Sequence, residues 1–150
     1  LLTPASKYPG VDGQKMSKSY DNQINMRDDP DRVANVLRKM PTDPARQRRN
    51  DPGDPDKCPV WGLHKVYTDS ALQQKLAEGC RSAAIGCLDC KKPLIEVMLE
   101  EQAQLRARAK PYEDDPGEVR RTIDAGCERA MAVAEETMKE VRDVVGTVYR

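Results

Sequence analysis

The 150-residue sequence has no phenylalanine, one tryptophan and one histidine. With aromatics at 4% and charged residues at 33%, it is poor in the aromatic side chains that strands favour, which argues against a β-sandwich and for an aliphatic helical core. Net charge is also lacking, since 25 Lys and Arg balance 25 Asp and Glu. Any polyanion must therefore be met by a local patch and not by the field of the whole chain. No apolar run reaches the roughly 18 residues of a transmembrane helix, and no secretory leader pattern opens the chain. The P-loop pattern G-x-x-x-x-G-K-[ST] is absent, which excludes that class of nucleotide enzyme. A single histidine cannot supply the paired half of a common zinc finger. The chain begins Leu1-Leu2-Thr3-Pro4 without an initiating Met, and is expected to be cut from a longer protein.

What is present is concentrated in a few stretches. Residues 11–24 read V-D-G-Q-K-M-S-K-S-Y-D-N-Q-I, with two lysines and two serines in five residues behind Pro9, Gly10 and Gly13. The run is too polar for a core strand, and a helix would set Lys15 and Lys18 on one face. The glycines mark a loop whose backbone can change its angles. A solvated surface loop is the plain reading; a mobile holder of phosphate is the sharper one.

The rest of the chain reads as helices. Asp29-Pro30 supplies an N-cap and a first-position proline for a helix to about Met40, with Val33, Val36, Leu37 and Met40 at helical spacing. Pro41 to Pro59 is a long proline-rich loop carrying Arg46, Arg48 and Arg49, and loops of that length are usually functional or disordered. Short helices are expected at about 60–67 and 70–77, then a cysteine-rich turn at 80–92. A long helix is expected to start at Pro93, with Leu94, Met98 and Leu105 on one side, and a last one at Pro116. In the last, Val119, Ile123, Cys127, Ala130, Ala134, Met138, Val141 and Val145 form a stripe expected to be buried, ending at Gly146. The body is expected to be all-α.

Cysteines 58, 80, 87 and 90 make the pattern C-x21-C-x6-C-x2-C. A C-x-x-C turn lets two thiolates face one metal, and Lys91 and Lys92 beside it would favour the thiolate form. Spacing alone accepts zinc or an iron–sulfur cluster; scattered free thiols are the plain alternative. Cys127 is expected to be a small core residue, and His64 a partly buried, hydrogen-bonded side chain.

K-M-S-K-S at 15–19 is the signature of class I aminoacyl-tRNA synthetases, and its surroundings resemble the bacterial tryptophanyl-tRNA synthetases. The likeness continues through T-D-P-A-R (42–46), R-S-A-A-I-G-C-L-D-C-K-K (81–92) and G-C-E-R-A-M-A-V-A-E-E-T-M-K-E-V-R (126–142). Where such sequences usually have Gly after the tyrosine, this chain has Asp21. The family's His-containing ATP signature has no counterpart here.

The resemblance implies the C-terminal part of a tryptophan–tRNA ligase. Residues 1–27 would be the end of an otherwise missing nucleotide-binding, Rossmann-like domain, and 28–150 a mainly α anticodon-binding domain. Lys15 and Lys18 would be catalytic, and Lys15, Met16, Ser17, Lys18 and Ser19 would hold ATP, used with Mg2+, while tryptophan is adenylated. A subset of the family carries a [4Fe–4S] cluster on cysteines of nearly this spacing, with one more residue in the first gap. It points to Cys58, Cys80, Cys87 and Cys90 as ligands, with zinc the alternative. Lys91, Lys92, Arg106 and Arg108 would meet tRNA(Trp). A cytoplasmic homodimer without membrane contact is implied, as is a chain inactive without its missing domain. The competing reading is a non-enzymatic, zinc-binding helical module for nucleic acid.

Overall fold

The computed structural model describes residues 7–147; the irregular reading of residues 1–6 lies outside them. The described residues hold no strand, only an antiparallel bridge between Pro9 and Lys15, so the all-α expectation stands. No helix is long and apolar enough to cross a membrane among them. They fall into two compact units, one ending at Arg106 and the other beginning at Ala107.

In the first unit, α1 spans Pro30–Lys39. The Asp29 carboxylate accepts from the N–H groups of Asp31 and Arg32 (2.9 and 3.3 Å), pairing an acidic cap with Pro30, which has no N–H to satisfy. α2 spans Pro59–Tyr67 and α3 spans Ser70–Arg81, a turn longer than the sequence suggests. Asp69 caps α3 through Leu72 N–H at 2.8 Å. The core gathers Val33, Ala34, Leu37 and Met40 with Val60 and Leu63 of α2 and Leu94, Ile95 and Met98 of α4, and Tyr8 and Ile24 of the entry loop pack against it. Each such large side chain contributes about 1.5–3 kcal/mol on burial.

The expectation of a turn at 80–92 and a helix starting at Pro93 is corrected. α4 spans Cys87–Asp114, so Cys87 and Cys90 lie in its first turn. The Asp89 carboxylate accepts from Gly86 N–H at 3.0 Å, as the third helical residue does in a capping box. Pro93 removes one intrahelical hydrogen bond, at a cost of about 3 kcal/mol. Burial of Leu94, Ile95 and Met98 just beyond it offsets that loss.

Residues 41–57 have little apolar content but are firmly tied. The Asp43 carboxylate accepts from Ala45 and Asp54 N–H (3.0 and 2.8 Å). Arg46, 8% exposed, donates to the carbonyls of Arg49 and Ile85 at 2.8 and 2.7 Å. Gly53 N–H donates to Cys80 O at 3.0 Å.

The second unit contains α5, Pro116–Val145, capped by Asp115 and closed at Gly146, whose φ of +71° suits glycine. The helix and its stop are as expected, but the buried stripe is not. No described residue of α5 is buried; Ile123 is 57% and Val145 65% exposed. Cys127 is exposed as well. Helical periodicity shows that a face is apolar, and says nothing of what covers it.

Candidate functional site

The 15–19 loop is shaped by one buried side chain. Asn22, 2% exposed, accepts from Ser17 N–H at 2.8 Å through Oδ1. Its Nδ2 donates to Asp12 Oδ1 at 2.8 Å and Lys15 O at 3.1 Å, and its own carbonyl accepts from Val11 N–H. The Gln14 N–H chiefly holds the Asp12 carboxyl below the usual range; burial opposes it, and the Asn22 side-chain amide adds to the lowering. Met16 N–H donates to Tyr8 O at 2.9 Å, and Met16 and Ser17 are half-buried while Lys15, Lys18 and Ser19 are exposed. A 3-10 turn, Lys18–Tyr20, begins at Ser17, whose Oγ accepts from Ser19 N–H. The loop leaves through Asp21 at φ +50°. That left-handed backbone is why Gly is usual there, and Asp is among the few side chains that tolerate it. The chain thus holds out two ammonium groups and two hydroxyls on a backbone fixed from behind.

The four cysteines converge in the first unit. Cys58 is the N-cap of α2, Cys80 lies in the last turn of α3, and Cys87 and Cys90 open α4; all four are free and half-buried. Burial, then the neighbouring Cys58, Cys80 and Cys87, pushes the Cys90 thiol up to about 12. Burial also raises Cys58 and Cys80. Opposing it at Cys58 are the N–H groups of Val60, Trp61 and Asp43, and at Cys80 the Arg46 guanidinium, whose Nη1 lies 3.8 Å from Sγ.

Two cations bear on the thiols: the Arg46 guanidinium beside Cys80, and Lys91, whose pKa burial lowers while Cys87, Cys58 and Cys90 act against that. No group of three or more His, Cys, Asp or Glu side chains stands in metal-holding geometry among the described residues. The donor set is nonetheless of thiolate-metal type, with four thiols near enough to repel one another when ionised and N–H and guanidinium groups facing their sulfurs. His64 is fully buried, with Nε2 3.6 Å from Cys90 Sγ and Nδ1 3.3 Å from Thr68 Oγ1. Burial lowers its pKa to about 4.

The four cations expected at RNA are not equivalent. Lys91 is 3% exposed, and its ammonium donates to Arg38 O and Met40 O at 2.8 and 2.6 Å. It caps the C-terminus of α1 and does not present a charge to the surface. Arg106 is half-buried and donates to Asp28 O at 3.4 Å. Lys92 and Arg108 are exposed. The sequence reading gave no role to Asn22, Asp43 or Arg46, although D-N behind the serines and D-P-A-R in the loop were there to be read.

The family model of the class I tRNA synthetases (W and Y) matches residues 1–101. Tryptophan–tRNA ligase of Ralstonia nicotianae is 56% identical over 149 residues, 99% of this chain and 37% of the relative. That of Thermotoga maritima is 41% identical over 150 residues, 99% of this chain and 46% of the relative. The structure of tryptophanyl-tRNA synthetase from Campylobacter jejuni complexed with ADP and tryptophan superimposes with a TM-score of 0.80 at 24% identity, over 93% of this chain and 43% of that one. The chain therefore spans less than half the length of these relatives. With two thirds of its length matched by the family and the signature loop held out on a helical body, the chain belongs to the class I tRNA synthetases of the tryptophan and tyrosine group.

Proposed function

We propose that the chain is the C-terminal part of a tryptophan–tRNA ligase, with the 15–19 loop acting on the phosphates of ATP while tryptophan is adenylated. The observation that carries this reading is the exposure of Lys15 and Lys18 on a backbone fixed by Asn22. As the tryptophan carboxylate attacks the α-phosphate, negative charge grows on the departing pyrophosphate. Two ammonium groups and the hydroxyls of Ser17 and Ser19 match that charge, and a positioned backbone avoids reorganisation at the moment it appears. Met16, half-buried, anchors the loop. Mg2+ accompanies the ATP, and residues 1–27 complete a nucleotide-binding domain from upstream. Residues 28–150 serve tRNA(Trp), with Lys92, Arg106 and Arg108 toward the RNA and Lys91 holding α1. The whole enzyme is a cytoplasmic homodimer, and the chain alone is inert.

Cys58, Cys80, Cys87 and Cys90 are the residues that would hold a [4Fe–4S] cluster or, in its place, zinc. When bound, such a group supplies cross-linking and no step of the reaction. The thiols themselves join the start of α2, the end of α3 and the start of α4.

The test is ATP–pyrophosphate exchange in the full-length enzyme carrying Lys18→Ala. A fall of 10²–10³-fold in turnover, about 3 kcal/mol, with tryptophan affinity kept, is the expected outcome. Unchanged turnover with only a raised KM for ATP would remove the transition-state role.

A further inference from the structure

The turn that precedes the 15–19 loop is closed on itself. Gly10 N–H donates to Gln14 O at 2.6 Å and Gly13 N–H to Gly10 O at 2.9 Å, with Gly13 at φ +83°. At its tip Asp12 Oδ1 accepts from Gln14 N–H at 2.9 Å, the local bond by which an aspartate fixes its own turn. The same oxygen accepts from Asn22 Nδ2 at 2.8 Å. Asp12 is exposed and Asn22 buried, so one carboxylate oxygen joins a surface turn to the side chain beneath the loop.

The chemistry of these partners allows Asn22 a single orientation. The ionised Asp12 and the Lys15 carbonyl can only accept, so both need the NH2 of the Asn22 amide. Ser17 N–H can only donate, so it needs the amide oxygen. Of these three partners, Asp12 alone lies outside the 15–19 loop. Without it, the amide is bonded only to the segment it is meant to hold.

We propose that Asp12 is a positioning residue for tryptophan adenylation, acting through Asn22 to set where the loop carries Lys15 and Ser17. The proposal rests on the reading that this loop acts on the phosphates of ATP, and adds to it a residue outside the signature. The atoms that Asn22 holds, Lys15 O and Ser17 N–H, belong to residues whose ammonium and hydroxyl meet the growing charge. A shift of the amide moves both together. Stabilisation of that charge depends on groups placed in advance, so losing the anchor slows the chemical step. Tryptophan binding, made by the upstream domain, stays as it was.

The test is ATP–pyrophosphate exchange in the full-length enzyme carrying Asp12→Ala or Asp12→Asn, beside Lys18→Ala. Asp12 is exposed, so neither change opens the core. Turnover of Asp12→Ala should fall by about tenfold or more, toward the roughly 10²-fold that a misplacement of about 1 Å costs, with KM for tryptophan unchanged. Asp12→Asn keeps an acceptor oxygen, though for a weaker neutral bond, and should return to within about threefold of the parent. Amide exchange at Ser17 should quicken in Asp12→Ala and not in Asp12→Asn. In an Asn22→Ala background, Asp12→Ala should add less than about twofold, as for two residues acting as one unit. Full turnover in Asp12→Ala, or a loss confined to KM for ATP, would overturn the proposal. So would an Asp12→Asn as slow as Asp12→Ala, which would show charge and not geometry to be at work, or losses that multiply in the Asn22→Ala background. A full-speed Lys18→Ala would strike the phosphate reading of the loop itself, whereas a slow Lys18→Ala beside a full-speed Asp12→Ala strikes this proposal alone.

Discussion

At Gly10 there is no room for even a methyl group. A Cβ built there would lie 2.3 Å from Asn22 Nδ2 and 2.9 Å from the Asn22 carbonyl oxygen. Part of that obstruction is backbone, which cannot swing aside, so Gly10→Ala must displace the side chain that shapes the 15–19 loop. Overpacking of this kind costs about 1–3 kcal/mol. The loss should appear in denaturant unfolding, together with faster amide exchange at Met16 and Ser17, whose N–H groups are held in the loop. Unchanged exchange at both would mean that Asn22 is not the support. Lys15 and Lys18 were legible from the sequence because charge and glycine announce a polar loop. Asn22 was not, because an asparagine after a tyrosine looks like any turn residue until its partners Asp12, Lys15 and Ser17 are seen around it.

Among the elements, α1 shows how much a helix owes to the segment before it. Asp28 accepts from Asn25 N–H at 2.9 Å and Asn25 Nδ2 at 3.1 Å, and pairs with Arg32 one turn on. Burial acts to raise its pKa, but the Asn25 donors and the Arg32 charge outweigh it, and the carboxyl lies below its usual 3.8. A lowered folded-state pKa stabilises the protein above the unfolded value and is lost as pH falls through the folded one. Asp28→Asn should therefore flatten the decline in stability below about pH 5, measured as urea midpoints against pH; a parallel decline in both proteins would deny Asp28 that role.

α5 makes the opposite point. Ile123→Glu should change stability by no more than about 0.5 kcal/mol, the range of surface substitutions. Leu37→Ala in α1, where the side chain is 1% exposed, should cost about 2–5 kcal/mol. Thermal unfolding of the two variants decides it, and a large loss for Ile123→Glu would show the stripe to be covered. Both helices were legible from their caps and 3.6-residue period. The start of α4 was not, because Pro93 is the louder signal and the Gly86–Asp89 cap the true one.

For the molecule as a whole, the four thiols are the point at which separate segments meet. Cys58 closes the 41–57 loop, Cys80 ends α3, and Cys87 and Cys90 begin α4. Anaerobically purified protein is expected to carry iron, with Cys58→Ser losing it and Cys127→Ser keeping it, read by metal analysis and the visible spectrum. Stoichiometric zinc would replace the cluster by a plain ion, and neither metal would leave a cluster of free thiols. Protease nicking within 41–57 should rise in Cys58→Ser, since that loop is otherwise held by polar ties. Sequence spacing identified these four residues together, because one turn of helix carries two of them and a fixed motif draws the eye. Arg46, which reaches across from the loop to Ile85 O and Cys80, joins segments 34 and 39 residues apart. No local pattern reports a bond of that range.

The burial of Lys91 bears on how contacts with RNA should be mapped. Amine-reactive labelling followed by peptide mass measurement would modify exposed Lys15, Lys18 and Lys92 readily, but leave Lys91 unlabelled in the free protein, its ammonium occupied by Arg38 O and Met40 O. Low reactivity at Lys91 in a complex therefore carries no footprint. A rise in its labelling would instead mark the fraying of the end of α1, making this lysine an internal gauge of helix integrity beside its neighbour Lys92, the one able to report a bound strand.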